Sequence, residues 1–201
     1  IDVTFVRAER HDAQVAFAMP EPARAAFSAR QMPGVLAVEP FRSVSARISN
    51  RNLSRKLSIT GRPSQPDLSR VLSPDLRPMS MPGAGLLLSE ALANALQVNR
   101  GERVTVEFLE GKRHTVTMPV SGLSLGYVGL GAAMDIEALN LAMGEGPVIS
   151  GVNFLLDGSG RDAFYASAKK TPATSFVTVT ALTVARFKET LAQNITVMIT
   201  V

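Results

Sequence analysis

The stretch Gly85-Leu-Leu-Leu-Ser-Glu-Ala-Leu-Ala-Asn-Ala-Leu-Gln-Val98, followed by Gly101-Glu-Arg-Val-Thr-Val106, carries several local signals in succession. Leu86, Leu87 and Leu88 read as a short buried strand. Ser89 stands where a hydroxyl caps a helix, and Glu90 sits in the first turn, where a carboxylate complements the helix dipole. Leu92, Ala95 and Leu96 recur at helical spacing, and residues 99–101 end the helix. Val104, Val106 and Phe108 then alternate up to Glu110-Gly111, and Val116 and Met118 follow on the far side. This pattern predicts an antiparallel hairpin with a glycine-containing turn.

Downstream, Asp135 is a cap for a helix through Ile136, Leu139 and Met143 that Gly144 terminates. Residues 148–156 read as a buried strand, 162–169 as a helix and 176–179 as another strand. Phe187, Leu191, Ile195 and Met198 keep one apolar stripe of a final helix. Upstream, five prolines between Gly61 and Pro82 mark a connection, ordered at best. Val44, Ala46 and Ile48 alternate before an Asn50-Arg51-Asn52 turn, with Leu57 and Ile59 on the returning strand. Ala23, Ala26 and Phe27 predict a short helix over 21–31, with Pro22 tolerated in its first turn. Val3 and Phe5, then Val15 and Phe17, open the chain as two strands or one long bent strand.

Strand, helix, strand thus occurs near each end. Two such units side by side make an α+β, split βαβ or ferredoxin-like layer built from residues 1–52 and 147–182. Residues 53–146 form an inserted, mostly β lobe, and 183–201 a helix leading into a membrane span. The apolar run Ile195, Val197, Met198, Ile199 and Val201 is far short of the roughly 20 residues that cross a bilayer. A chain cut at the start of a membrane helix accounts for it; a buried terminal helix or strand is the other reading.

At 201 residues with 46% hydrophobic and 19% charged residues, the chain has the composition of a packed protein. The absence of cysteine removes disulfides, thiolate metal sites and cysteine nucleophiles, and leaves the redox compartment open. Twenty-one basic residues against 17 acidic ones leave a net charge of +4, too modest for an extended nucleic-acid surface. The basic stretch Arg42, Arg47, Arg51, Arg55, Lys56 and Arg62 reads as a solvated hairpin face, since 5% aromatics provide few of the stacking residues that single-strand binding uses. No nucleic-acid partner is expected.

The reactive side chains of the sequence do not assemble into a site. His11, in a turn beside Arg10 and Asp12, and His114, expected as an exposed imidazole beside Lys112 and Arg113, lack a ligand-type residue at helical metal spacing. Ser121-Gly122 and Ser124 lack the flanking glycines of a nucleophile elbow. Gly126, Gly129 and Gly131 match neither a dinucleotide fingerprint nor a phosphate loop, and read as turns or close packing. Glu107 and Glu110 belong to the hairpin, and Asp135 and Glu137 open a helix. Nothing brings them together as an acid and base pair. No catalytic, cofactor-binding, metal-ligating or substrate-binding residue is assigned, no cofactor is expected, and the chain is not expected to be an enzyme.

Four segments resemble the FtsX-like permease family, with its MacB-type periplasmic domains. Met32-Pro-Gly-Val-Leu-Ala-Val-Glu-Pro40 is similar to the family's passage into a long strand. The 85–106 stretch is similar to its strand, helix and hairpin signature, departing at Gln97, where glycine is usual, and at Glu102, where aspartate is usual. Gln97 is awkward if that position requires a positive φ. Ala133-Met-Asp-Ile-Glu-Ala-Leu-Asn140 resembles a helix start, and residues 187–195 the run into a membrane helix. The resemblance implies a porter-like layer with a β-rich insert, on the periplasmic side of a bacterial inner membrane. It further implies a separate cytoplasmic ATPase subunit as partner, with a second permease subunit and a periplasmic adaptor or carrier as further candidates. On it the domain transmits ATP-driven motion and contacts substrate or partner proteins in export, efflux or lipoprotein release. A stand-alone periplasmic ligand- or protein-binding module is the alternative.

Overall fold

The computed structural model describes residues 8–125 and 130–168, together with the backbone of 174–179. In chain order these form β1 (Ala13–Pro22), α1 (Ala25–Arg30), β2 (Val35–Asn50), β3 (Leu53–Arg62), β4 (Val71–Leu72), β5 (Pro78–Met79) and β6 (Leu86–Ser89). Then follow α2 (Glu90–Leu96), β7 (Arg103–Phe108), β8 (Thr115–Ser124), β9 (Ala132–Asp135), α3 (Ile136–Met143), β10 (Val148–Leu156), α4 (Arg161–Ala168) and β11 (Thr174–Val179). The helix expected over 183–201 and the strand signal at Val3 and Phe5 lie outside the described residues.

One strand organises the sheet. β2 is 16 residues long, which at about 3.3 Å per residue is roughly 50 Å of extended chain. Its first part, from Val35 to Phe41, pairs antiparallel with β10, and beyond β10 lie β1 and β11, each antiparallel to its neighbour. Its second part, from Arg42 to Asn50, pairs with β3, while Ala46 to Ser49 also pair with β7 on the other side. The order β2-β3-β9-β6-β8-β7 therefore returns to β2 and closes a ring of six strands. Closure leaves those strands without the unpaired edges that invite association with another chain.

Each part has its own core. Inside the ring, alternate residues of the strands point inward, Val44, Ala46 and Ile48 from β2 and Val104, Val106 and Phe108 from β7. Helices α2 and α3 add Leu92, Leu96, Leu139 and Met143. The second core joins Val15, Val152, Phe154 and Leu156 of the four-stranded part to Phe164 of α4, with the rings of Phe154 and Phe164 4.8 Å apart. The apolar side chains between Val44 and Ile48 pack with the 53–146 segment, so the chain passes from one core to the other inside β2 and not at the Asn50–Asn52 turn.

Both expected helix caps form. The Ser89 hydroxyl accepts the Leu92 N–H, and the Asp135 carboxylate accepts the N–H groups of Glu137 and Ala138. The hairpin of β7 and β8 is where its alternation places it, and the buried strand expected over 148–156 is β10. The helix expected over 21–31 is shorter. β1 continues to Pro22, and α1 begins at Ala25. The strand survives two prolines because its register with β10 shifts between Ala16 and Glu21, after which Glu21 and Pro22 pair with Ile149 and Val148. The proline-rich connection holds a two-stranded ribbon, Val71 against Met79 and Leu72 against Pro78.

Gly61 lies where α3 crosses β3. A Cβ there would sit 2.9 Å from Leu139 Cδ2 and 3.1 Å from Ile136 Cα, so the helix approaches the strand through a missing side chain. Gln97 presents the opposite case. It closes α2 at φ 51° and ψ 50°, the left-handed region that disfavours a Cβ. Its carbonyl and that of Leu96 accept the Asn50 side-chain amide at 3.1 and 3.0 Å. Relief of the backbone strain by Gln97→Gly is expected to stabilise the chain by about 1 kcal/mol, read as a higher urea midpoint with an unchanged slope. An unchanged or lower midpoint would show that the Gln97 side chain compensates for the strain.

Candidate functional site

Where β2 leaves the four-stranded part, it carries two buried charges. Glu39 is 7% exposed and Arg42 is 2% exposed. Side chains three apart on a strand point to opposite faces, and each charge meets a different segment of chain. The Glu39 carboxylate accepts three backbone N–H groups, from Asp67 at 2.6 Å, Leu68 at 2.9 Å and Ser69 at 3.0 Å. Arg42 donates to Glu145 Oε2 at 3.1 Å, to Ser150 Oγ at 2.9 Å and to the Ser43 carbonyl at 3.2 Å. Ser150 Oγ accepts the Ser43 N–H at 3.0 Å as well. Glu145 is set by the end of α3, where Gly144 adopts φ 65° and the Glu145 N–H returns to the Asn140 carbonyl.

The 67–70 segment is held a second time, by residues 8–12. Arg10 N–H donates to the Leu68 carbonyl and Arg70 N–H to the Ala8 carbonyl. Glu9 accepts the Ser69 hydroxyl at 2.9 Å, and Arg62 donates to the carbonyl and hydroxyl oxygens of Ser69. His11 Nδ1 lies 3.2 Å from Glu9 Oε2 and 3.3 Å from the Leu68 carbonyl. Facing two acceptors, that nitrogen carries a proton. Burial pushes the Glu9 carboxyl up, but the His11 hydrogen bond, the Arg62 and His11 charges and the Ser69 hydroxyl together hold it below its ordinary value of 4.5. On the surface beside it, Asp67 is held low by its bonds to Arg70 and by Arg10.

Neither histidine is a surface side chain, and His114 differs from the exposed imidazole expected. His11 is buried, and His114 is half-buried, its ring 5.3 Å from that of Phe108 and its Nε2 donating to the Ala142 carbonyl at 2.6 Å. The hairpin turn folds against the end of α3, which removes the imidazole from water. The basic stretch divides in the same way. Arg51, Arg55 and Lys56 are exposed, and Arg47 meets Glu107 at 2.6 Å, but Arg42 is interior and Arg62 partly so.

The remaining candidate residues each have a separate structural role. Glu110 accepts the Ser45 N–H, Asp135 caps α3, and Glu137 lies in the first turn of that helix. The Ser121 hydroxyl donates to the Ala84 carbonyl at 2.7 Å, and Ser124 to the Leu88 carbonyl. Gly131 N–H donates to Ser89 Oγ, while Gly126 and Gly129 lie outside the described residues. Among the described residues no group of three His, Cys, Asp or Glu side chains is arranged to hold a metal ion. What the junction does chemically is join three passages of the chain through charge-assisted hydrogen bonds, Glu39 to backbone N–H groups and Arg42 chiefly to side chains. Glu39 was legible only as a carboxylate inside the apolar run Val38-Glu39-Pro40. Arg42, Glu145 and Ser150 gave no local signal of their partnership.

No family model matches the sequence, and no curated protein matches it. Solved structures do match in fold. The periplasmic region of MacB from Actinobacillus actinomycetemcomitans superposes with a TM-score of 0.59 at 13% identity, over 91% of this chain and 95% of that one. The extracellular domain of the noncanonic ABC-type transporter YknZ from Gram-positive bacteria superposes with a TM-score of 0.56, also at 13% identity, over 78% and 87%. The chain thus has the mixed α and β, sheet-rich fold of these extracytoplasmic transporter domains. No helix among the described residues is long and apolar enough to cross a membrane.

Because Glu9 is held below its ordinary value, the stability it contributes is fully present above about pH 4.5 and is lost as pH falls through the lowered value. Glu9→Gln should lower stability at neutral pH by about 2 kcal/mol, the size of hydrogen bonds to a charged group. Thermal unfolding of the two chains should converge well below pH 4.5. A gap that stayed constant with pH would show that the Glu9 charge contributes nothing.

Proposed function

We propose that this chain is the extracytoplasmic domain of an ABC transporter permease subunit in a bacterial inner membrane, and that it conveys ATP-driven motion to a substrate or partner protein. The observation that carries the reading is the pairing of Ala13 with Val179. β1 starts and β11 ends side by side at one edge of the sheet, so the chain enters and leaves the four-stranded part at neighbouring positions. That is the arrangement of a domain inserted between two membrane helices. The likeness to the MacB and YknZ domains supports it.

On this reading β11, β1, β10 and the first part of β2, with α1 and α4, are the porter-like split βαβ layer, and the six-stranded ring is the inserted lobe held away from the membrane. The partners are a cytoplasmic ATPase subunit reached through the membrane helices, a second permease subunit, and a periplasmic adaptor or carrier. On this reading the chain itself catalyses nothing: Glu39 and Arg42, its two buried charges at the junction, are engaged by backbone and side-chain groups of the chain itself.

The absence of cysteine from this segment makes the topology testable. Ser54 is exposed on β3, so Ser54→Cys, in a full-length background from which any cysteine outside this segment has been removed, should react with a membrane-impermeant maleimide in intact spheroplasts. Reaction only after lysis would place the domain on the cytoplasmic side and end the proposal. Coupling is tested by Thr190→Pro, which should break the helix proposed over 183–201, since an interior proline costs about 3 kcal/mol. In a strain lacking the native gene, the proline variant should fail to complement at normal expression while Thr190→Ala complements. Complementation by both would leave the segment a passive tether.

A further inference from the structure

We propose that Glu39 and Arg42 form a two-sided clamp that fixes the orientation of the six-stranded ring relative to the four-stranded layer. The inference rests on the geometry of the junction and stands whether or not the chain belongs to a transporter.

A single strand shared by two sheets is a weak mechanical joint, because a strand bends and twists over a few residues. Rigidity has to come from what grips it from the sides. Glu39 grips one face. Its two oxygens receive three consecutive N–H groups of the segment that leaves β3, and such a convergence is satisfied in one orientation only. Arg42 grips the other face, reaching Glu145 and Ser150 on the passage by which the chain returns from α3 into β10. Outgoing strand, leaving segment and returning segment are thereby tied at one level of the molecule.

The chemistry of the grips argues for orientation over stability. Burying a carboxylate and a guanidinium is expensive, and apolar side chains of similar volume usually stabilise a fold as well or better. What charged, multiply bonded groups add is direction, because three or four bonds converge on fixed lone-pair and N–H positions. The two groups lie on opposite faces, so a tilt of the ring that shortens the bonds on one side lengthens them on the other. A clamp on one face would leave a hinge.

The test uses the absence of native cysteine. Spin labels on Ser28→Cys of α1 and Ser54→Cys of β3, both exposed, report the distance between layer and ring by double electron–electron resonance. The otherwise unaltered chain should give one narrow distribution. Glu39→Gln combined with Arg42→Met should broaden it while thermal unfolding stays cooperative, and the amides of residues 67–69 should exchange about tenfold faster or more, with α2 and α3 unchanged. If that pair of changes prevents folding, Glu39→Gln with Ser150→Ala loosens both faces with less loss of packing. A folded variant that keeps the narrow distribution overturns the proposal. So does exchange that rises everywhere together, or failure of both variants to fold, because the groups would then hold the fold and not the orientation.

Discussion

The structure depends on β2 being continuous. Sixteen residues without a break supply the edge of one sheet and a stave of the closed ring, and β10, β3 and β7 are placed by which part of that strand they meet. The sequence of β2 changes character along its length to allow this. Its first part carries Val35, Val38 and Pro40, shaped for a layer covered by helices on one face. Its second part alternates Val44, Ala46 and Ile48 with Ser43, Ser45 and Arg47, the pattern of a strand with one face in a core and one in water. Glu39, near the end of the first part, and Arg42, at the start of the second, bracket the change.

Both ends of the ring's connectivity obey that constraint. β3 leaves by way of residues 67–69, which Glu39 receives, and the return through Glu145 and Pro147 passes under Arg42 before Val148 pairs with Pro22. Gly61 and Gly144 serve the same passage. One lets α3 lie against the start of the ring, and the other turns the chain out of α3 with a positive φ. The half-burial of His114 follows as well, since the hairpin turn that bears it packs on the end of this helix.

The parts legible in the sequence are those whose cause is local. Ser89 and Asp135 lie within three residues of the N–H groups they cap, and the alternation of β7 and β8 lies within one hairpin. The awkwardness of Gln97 was visible for the same reason, and the structure gives it the left-handed φ that makes it so. What was not legible depends on distant partners. Arg42 read as one more cation on a solvated face because Glu145 and Ser150 are over a hundred residues away, and nothing near Arg42 announces them. α1 starts later than its pattern predicts because the bulge that lets β1 run through two prolines is set by its pairing with β10. The closure of the ring through Ala46 and Phe108 was hidden for the same reason.

The order in which strands find partners differs from the order in which they are synthesised. Among the described residues β1 pairs only with β10 and β11, and the first part of β2 only with β10, so these two segments emerge with their backbone groups unmatched. The ring, by contrast, draws its strands from residues 42–135 and is complete before β10 exists. A nascent chain therefore exposes β1 and half of β2 while more than a hundred further residues are added, an interval in which sheet edges are open to other chains. Pairings this remote in sequence are also slow to form. The two prolines in β1 and the proline at position 40 in β2 stand in the segments that wait, where the lack of an N–H blunts association until the native partner arrives.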